Sequence, residues 1–163
     1  MRIFTKRFTK RLKKSFNMIV KVKRIDKSLP LPQYQTSGAV AFDLYSRVDA
    51  MIAPKTLERL PTNVIIEIPK GYMLEIKDRS STLKKKGLLV TTGYIDNDYC
   101  GDTDEILLQV YNLSDTSVKI EKGERLGQGA FVKIDLADWE EVETMGEKNR
   151  GGFGTTGSKS NAR

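Results

Sequence analysis

The chain has 163 residues, is 39% hydrophobic and 30% charged, and carries a formal net charge of +7 with one cysteine and no histidine. This is one domain's length, with an ordinary globular composition and enough chain to bury a core without disulfide staples. The missing histidine excludes Ser-His-Asp and Cys-His catalysis and every histidine-ligated metal site, so hydrolytic chemistry would fall to carboxylates, lysine, tyrosine or a hard metal held by oxygen.

Residues 1–17 form a block of their own. They hold Arg2, Lys6, Arg7, Lys10, Arg11, Lys13 and Lys14 and no acid; without these seven, 21 cations face 21 acids. The body is therefore neutral, and no nucleic acid is expected on it. Ile3, Phe4, Phe8, Leu12 and Phe16 recur at helical spacing, which admits a basic amphipathic helix touching membrane or nucleic acid, or a mitochondrial transit peptide. The plainer expectation is an untranslated or disordered leader, with Met18 as the start. Cys100 has no intrachain partner and no apolar run approaches the roughly 20 residues that span a bilayer, so a cytoplasmic location is expected.

From Met18 onward the signals are β. Val20 and Val22 alternate with Lys21 and Lys23. Runs at 64–68, 72–77, 106–111 and 130–134 read as further strands, with turn residues at Ser37-Gly38, Lys70-Gly71, Gly101-Asp102, Asn112 and Lys122-Gly123. Many short strands at such spacing predict an all-β sandwich, jelly roll or barrel. One short helix is expected at 80–86, capped by Ser80 or Ser81 and ended by Gly87. Residues 18–145 are read as the domain, and 146–163, rich in Gly, Ser and Thr, as a mobile tail.

Five segments stand out chemically. Ser37 to Ser46 sets Asp43 in a small apolar strand, where a buried acid needs partners. Asp78-Arg79-Ser80-Ser81 follows a strand and opens the helix, a setting in which amides, hydroxyls and Arg79 make an anion cradle. Thr92 to Gly101 crowds Asp96, Asp98, Tyr94 and Tyr99 into the turn of an apparent hairpin, a pattern that turn formation and strand packing also explain. Gly123 to Phe131 reads as a turn and strand that leave Gln128 unexplained. Arg150-Gly151-Gly152-Phe153-Gly154 sets a bidentate donor and an aromatic among glycines whose backbone can wrap a phosphate.

In this order and at these distances the five segments resemble the five motifs of the dUTPase family, from about Met18 to Gly157. The resemblance implies a jelly-roll-like subunit of β-clip type, with one short helix after the second motif, and a homotrimer whose sites are shared between chains. It implies hydrolysis of dUTP to dUMP and pyrophosphate with Mg²⁺ as cofactor. Asp96 would activate the water that attacks the α-phosphorus, with Gln128 near the α-phosphate. Arg79, Ser80, Ser81 and Arg150 would hold phosphates. The backbone of Gly93, Tyr94 and Ile95 would read uracil, Tyr99 would exclude a 2′-hydroxyl, and Phe153 would stack on the base. Asp43 would support the hydrated Mg²⁺. Tyr94 replaces a smaller aliphatic residue usual in the family, Ala41 replaces a common glycine, and Asp102 to Glu105 is unusually acidic. The alternative within the fold is dCTP deaminase, but its catalytic glutamate corresponds to Gln109, which cannot act as a base. A nucleotide-gated binding protein is the alternative from another class.

Overall fold

The structure, a computed structural model, describes residues 18–151; the basic segment 1–17 and Phe153 lie outside the described residues. The elements in chain order are β1 Val22–Arg24, β2 Phe42–Tyr45, β3 Ala50–Ile52, β4 Leu57–Pro61, β5 Val64–Ile66, β6 Tyr72–Asp78, α1 Thr82–Lys86, β7 Leu88–Val90, β8 Gly93–Ile95, β9 Leu107–Asn112, β10 Val118–Ile120 and β11 Arg125–Lys133. The fold is all-β, of jelly-roll type, with a single short helix among the described residues.

Two sheets dominate. One has strand order β2-β11-β6-β8 and the other β4-β9-β7, with two-stranded ribbons β1-β5 and β3-β10 alongside. Every pairing is antiparallel. Because side chains alternate across a strand, each sheet sends one set inward. Leu74 and Ile76 of β6, Phe42 and Leu44 of β2, and Leu108 and Val110 of β9 meet in one core with Ile52, Leu88, Ile120 and Leu126. The sheets approach closely at Gly127: a Cβ there would lie 2.7 Å from Leu108 of the facing sheet. A larger residue there would have to displace the Leu108 side chain, so glycine gives this strand its close approach to the facing sheet.

The strands expected at 64–68, 72–77 and 106–111 form with shifts of one or two residues. The last long strand begins at Arg125, five residues before the expected Ala130, because β11 spans the whole of β6 and also pairs with β2. The short strands β3, β4, β7 and β10 carry weak local patterns and form through long-range pairing. The helix opens at Thr82 and closes at Gly87, whose φ of 66° is left-handed, as a glycine cap allows. Ser81 occupies the N-cap without a side-chain cap bond, so the expected serine cap does not form. Thr82 Oγ1 instead donates to Leu126 O and ties the helix to β11.

The acidic stretch after residue 101 is structural. Glu105 is buried, accepts from Arg47 Nε and Nη2 at 2.9 and 2.8 Å, and accepts from the Asn63 amide at 2.7 Å. Asp104 accepts from the Gly101 amide, and Asp102 pairs with Lys23, whose hydrogen bond holds its carboxyl below the usual range.

Candidate active site

The outer face of the four-stranded sheet carries the polar residues. Antiparallel register sets Gln128 of β11 opposite Asp43 on one side and Lys77 on the other, so the three side chains share one face. Asp43 is 5% exposed, yet it lies on this polar face rather than in the core. Two guanidiniums cover it. Arg79 Nε donates to Asp43 Oδ1 at 2.8 Å, and Arg125 Nη1 donates to Oδ2 at 2.9 Å. Gln128 Nε2 donates to Asp78 O at 3.2 Å.

A β-bulge makes this arrangement. Between Arg125 and Gly127 the register with β2 shifts, leaving Leu126 as the extra residue. Leu126 drops into the core while Arg125 opposes Tyr45, on the Asp43 face. Bulges re-aim side chains in this way. Next to it lies a cleft of about 340 Å³, lined by Arg79, Ser81, Lys85, Lys86, Glu124 and Arg125 among others. Lys86 is neutralised by Glu124 at 2.6 Å, so Arg79, Arg125 and Lys85 give the cleft its positive character.

The third segment sits elsewhere. β8 pairs with β6, Tyr94 opposite Glu75 and Gly93 opposite Ile76. The expected hairpin therefore has a different stem: β7 pairs with β9, and β8 lies in the excursion between them. Gly93 takes φ 84°, a left-handed value that glycine adopts without strain. Tyr94 and Asp96 are exposed, and the Asp96 carboxylate has no hydrogen-bond partner among the described residues. The turn is nonetheless anchored. Asn97 Nδ2 donates to the carbonyls of Tyr72, Pro69 and Ile68 at 2.7, 3.1 and 3.3 Å. Tyr99 Oη donates to Glu105 O at 3.0 Å.

Arg79, Asp43, Gln128 and Ser81 are thus brought together, Ser80 stands exposed at the helix start, and Asp96 is not brought to them. Ile95 faces Leu74 on one side of β6 and Gln128 faces Lys77 on the other. Three residues of rise and two interstrand spacings separate their Cα positions by about 14 Å. Arg150 is exposed, in a segment without strand or helix. Sequence reasoning gave no role to Arg125 and Asn97. Their positions depend on a bulge and on a turn contact across about 25 residues, neither of which leaves a local signal.

Among the described residues no group of three or more His, Cys, Asp and Glu gathers to hold a metal. The one buried acid of the site spends both oxygens on arginines. Such a donor set offers no all-protein cage, and fits a Mg²⁺ that rides on phosphate oxygens and keeps its waters.

The dUTPase family model matches residues 27–158. This chain belongs to the dUTPase family. The deoxyuridine 5′-triphosphate nucleotidohydrolase of a Hydrogenobaculum species is 40% identical over 145 residues, covering 85% of this chain and 97% of its own. The enzyme of the same name from Finegoldia magna is 41% identical over 145 residues, with 85% and 99% covered. Among solved structures, a dUTPase from Streptococcus mutans superposes with a TM-score of 0.66 at 31% identity over 72% of this chain and 98% of its own. The Staphylococcus bacteriophage 80alpha dUTPase bound to dUpNHpp shares the fold, with a TM-score of 0.78 at 24% identity over 87% of this chain and all of that one.

Proposed function

We propose that the chain hydrolyses dUTP to dUMP and pyrophosphate through a site assembled between copies of itself. Family membership across residues 27–158 carries the reaction. In the reaction, Asp96 takes a proton from water while the water oxygen bonds to the α-phosphorus. The bond from that phosphorus to the oxygen bridging to the β-phosphate breaks, and pyrophosphate leaves. An exposed carboxylate without a partner is free to serve as that base. Arg79, Ser80, Ser81 and Arg150 neutralise phosphate charge, and Gln128 orients the α-phosphate and water. The Gly93–Ile95 backbone reads the uracil edge, Tyr99 packs beneath the deoxyribose and Phe153 covers the base. Mg²⁺ would be held beside Asp43 and would supply charge neutralisation on the triphosphate.

The separation of about 14 Å between the Cα positions of Ile95 and Gln128 supports a shared site, since the two segments do not lie side by side within one chain. Uncovered apolar surface supports a homotrimer as well. Leu136 and Trp139 are 92% and 96% exposed. An apolar groove of about 910 Å³, lined by Val22, Leu31, Tyr34, Val40 and Phe131 among others, stands open. Exposed apolar surface of this kind marks interaction sites. dCTP deamination is disfavoured, since Gln109 lies on β9 opposite Arg59 and offers no base. A pyrophosphate-release assay across dUTP, dTTP, UTP and dCTP tests the reading. Turnover confined to dUTP is expected; ammonia released from dCTP, or equal turnover of dTTP, would overturn it.

A further inference from the structure

Asp43 is the sole buried acid on the outer face of the four-stranded sheet among the described residues, and it is bonded to two arginines at once. One guanidinium would neutralise it. The second leaves the cluster with a net positive charge, and β11 bulges to bring that second arginine to this face. Neither guanidinium is consumed by the contact: Arg125 spends one N–H direction on Asp43, and Arg79 spends Nε there and Nη1 on Arg125 O at 3.4 Å. Each has further donors, and each lines the 340 Å³ cleft together with Ser81 and Lys85. The side chains of Arg79 and Arg125 are 26% and 39% exposed, so a ligand in the cleft can reach them.

We propose that Arg125 is a second arginine beside Arg79 that binds the β- or γ-phosphate, and that Asp43 is a positioning residue that presets both guanidiniums. This rests on the dUTP reading above. The physical case is one of preorganisation. Two long cationic side chains left free would each lose rotamer freedom on binding phosphate. A buried carboxylate between them fixes both in the empty protein and screens their mutual repulsion. The planar fork of arginine lets one edge bond the carboxylate while another bonds phosphate, which an ammonium point charge cannot do in the same geometry.

The test is the binding of dUMP and of a non-hydrolysable imido analogue of dUTP to the full chain, measured by calorimetry in EDTA and again in Mg²⁺. Arg125→Gln is expected to weaken the analogue about tenfold or more while leaving dUMP within about threefold. Asp43→Asn is expected to show the same selective loss already in EDTA, where a metal role would have nothing to act on. Equal losses for dUMP and the analogue, or none, would overturn the assignment of Arg125. A loss for Asp43→Asn seen only in Mg²⁺ would overturn the positioning role. Should Asp43→Asn not fold, Arg125→Lys decides: full retention of analogue affinity would rule out a role for the preset fork, and loss close to that of Arg125→Gln would uphold it. If the unaltered chain binds neither ligand, the dUTP reading itself fails, a result distinct from each of these.

Discussion

The outer sheet face around Asp43 and the turn around Asp96 differ in how finished they are within one chain. At the first, a buried carboxylate, two arginines and Gln128 are locked by cross-strand register and by bonds of 2.8 to 3.2 Å. At the second, Asp96 and Tyr94 stand exposed, and the bonds hold the turn's frame through Asn97 and Tyr99 rather than the acid itself. On the proposed reading, the phosphate-handling part of the site is built by folding, while the base is completed by a partner surface. Anion binding profits from donors fixed in advance, whereas a base must stay open to water.

The largest effect that can break this contrast is at the acid. Asp96→Asn should lower kcat by about 10²–10⁴-fold while leaving affinity for the imido analogue within a few-fold; stopped-flow proton release would show it, and near-normal turnover would remove Asp96 from the chemistry. Next comes deletion of residues 146–163. Leu136 and Trp139 remain, so the melting temperature should stay close to that of the intact chain, while kcat/KM falls by most of its value through loss of Arg150 and Phe153. Full activity after truncation would make the segment an idle tail.

Much of this was legible in sequence because it rests on local rules. Short strand-like runs bounded by turn residues marked β6 and β9, glycine ended the helix, and a lone Asp in an apolar strand signalled a partnered acid. What stayed hidden depends on chain segments far apart. Arg125 reaches Asp43 through a bulge, and the start of β11 is set by pairing with β2 and β6 rather than by its own composition. Glu105 stood out only as part of an unusually acidic stretch, but Arg47 and the Asn63 amide, distant in sequence, bury it as a structural ion pair. The composition of residues 102–105 carried no sign of those partners.

That pair sharpens the contrast from the stability side. Glu105→Ala should cost on the order of 2–4 kcal/mol of unfolding free energy, since it strands Arg47 and the Asn63 amide together. Chemical denaturation would measure it, and a loss below about 0.5 kcal/mol, the range of an ordinary surface change, would mean the ion pair is dispensable. A smaller, more specific effect belongs to Tyr99→Ala, expected to lower the preference for dUTP over UTP in kcat/KM. An unchanged ratio would place ribose exclusion on another residue.

The division of the site between chains is tested most directly by complementation. Asp96→Asn and Gln128→Ala chains, each inactive alone, are mixed one to one, unfolded, refolded together and assayed for pyrophosphate release. In a shared site, some interfaces combine an intact Asp96 from one chain with an intact Gln128 from another, and random assembly into a closed ring should restore about a quarter of the wild-type sites. Activity no higher than the two inactive parents would contradict the account, because it would mean that Asp96 and Gln128 must serve from the same chain.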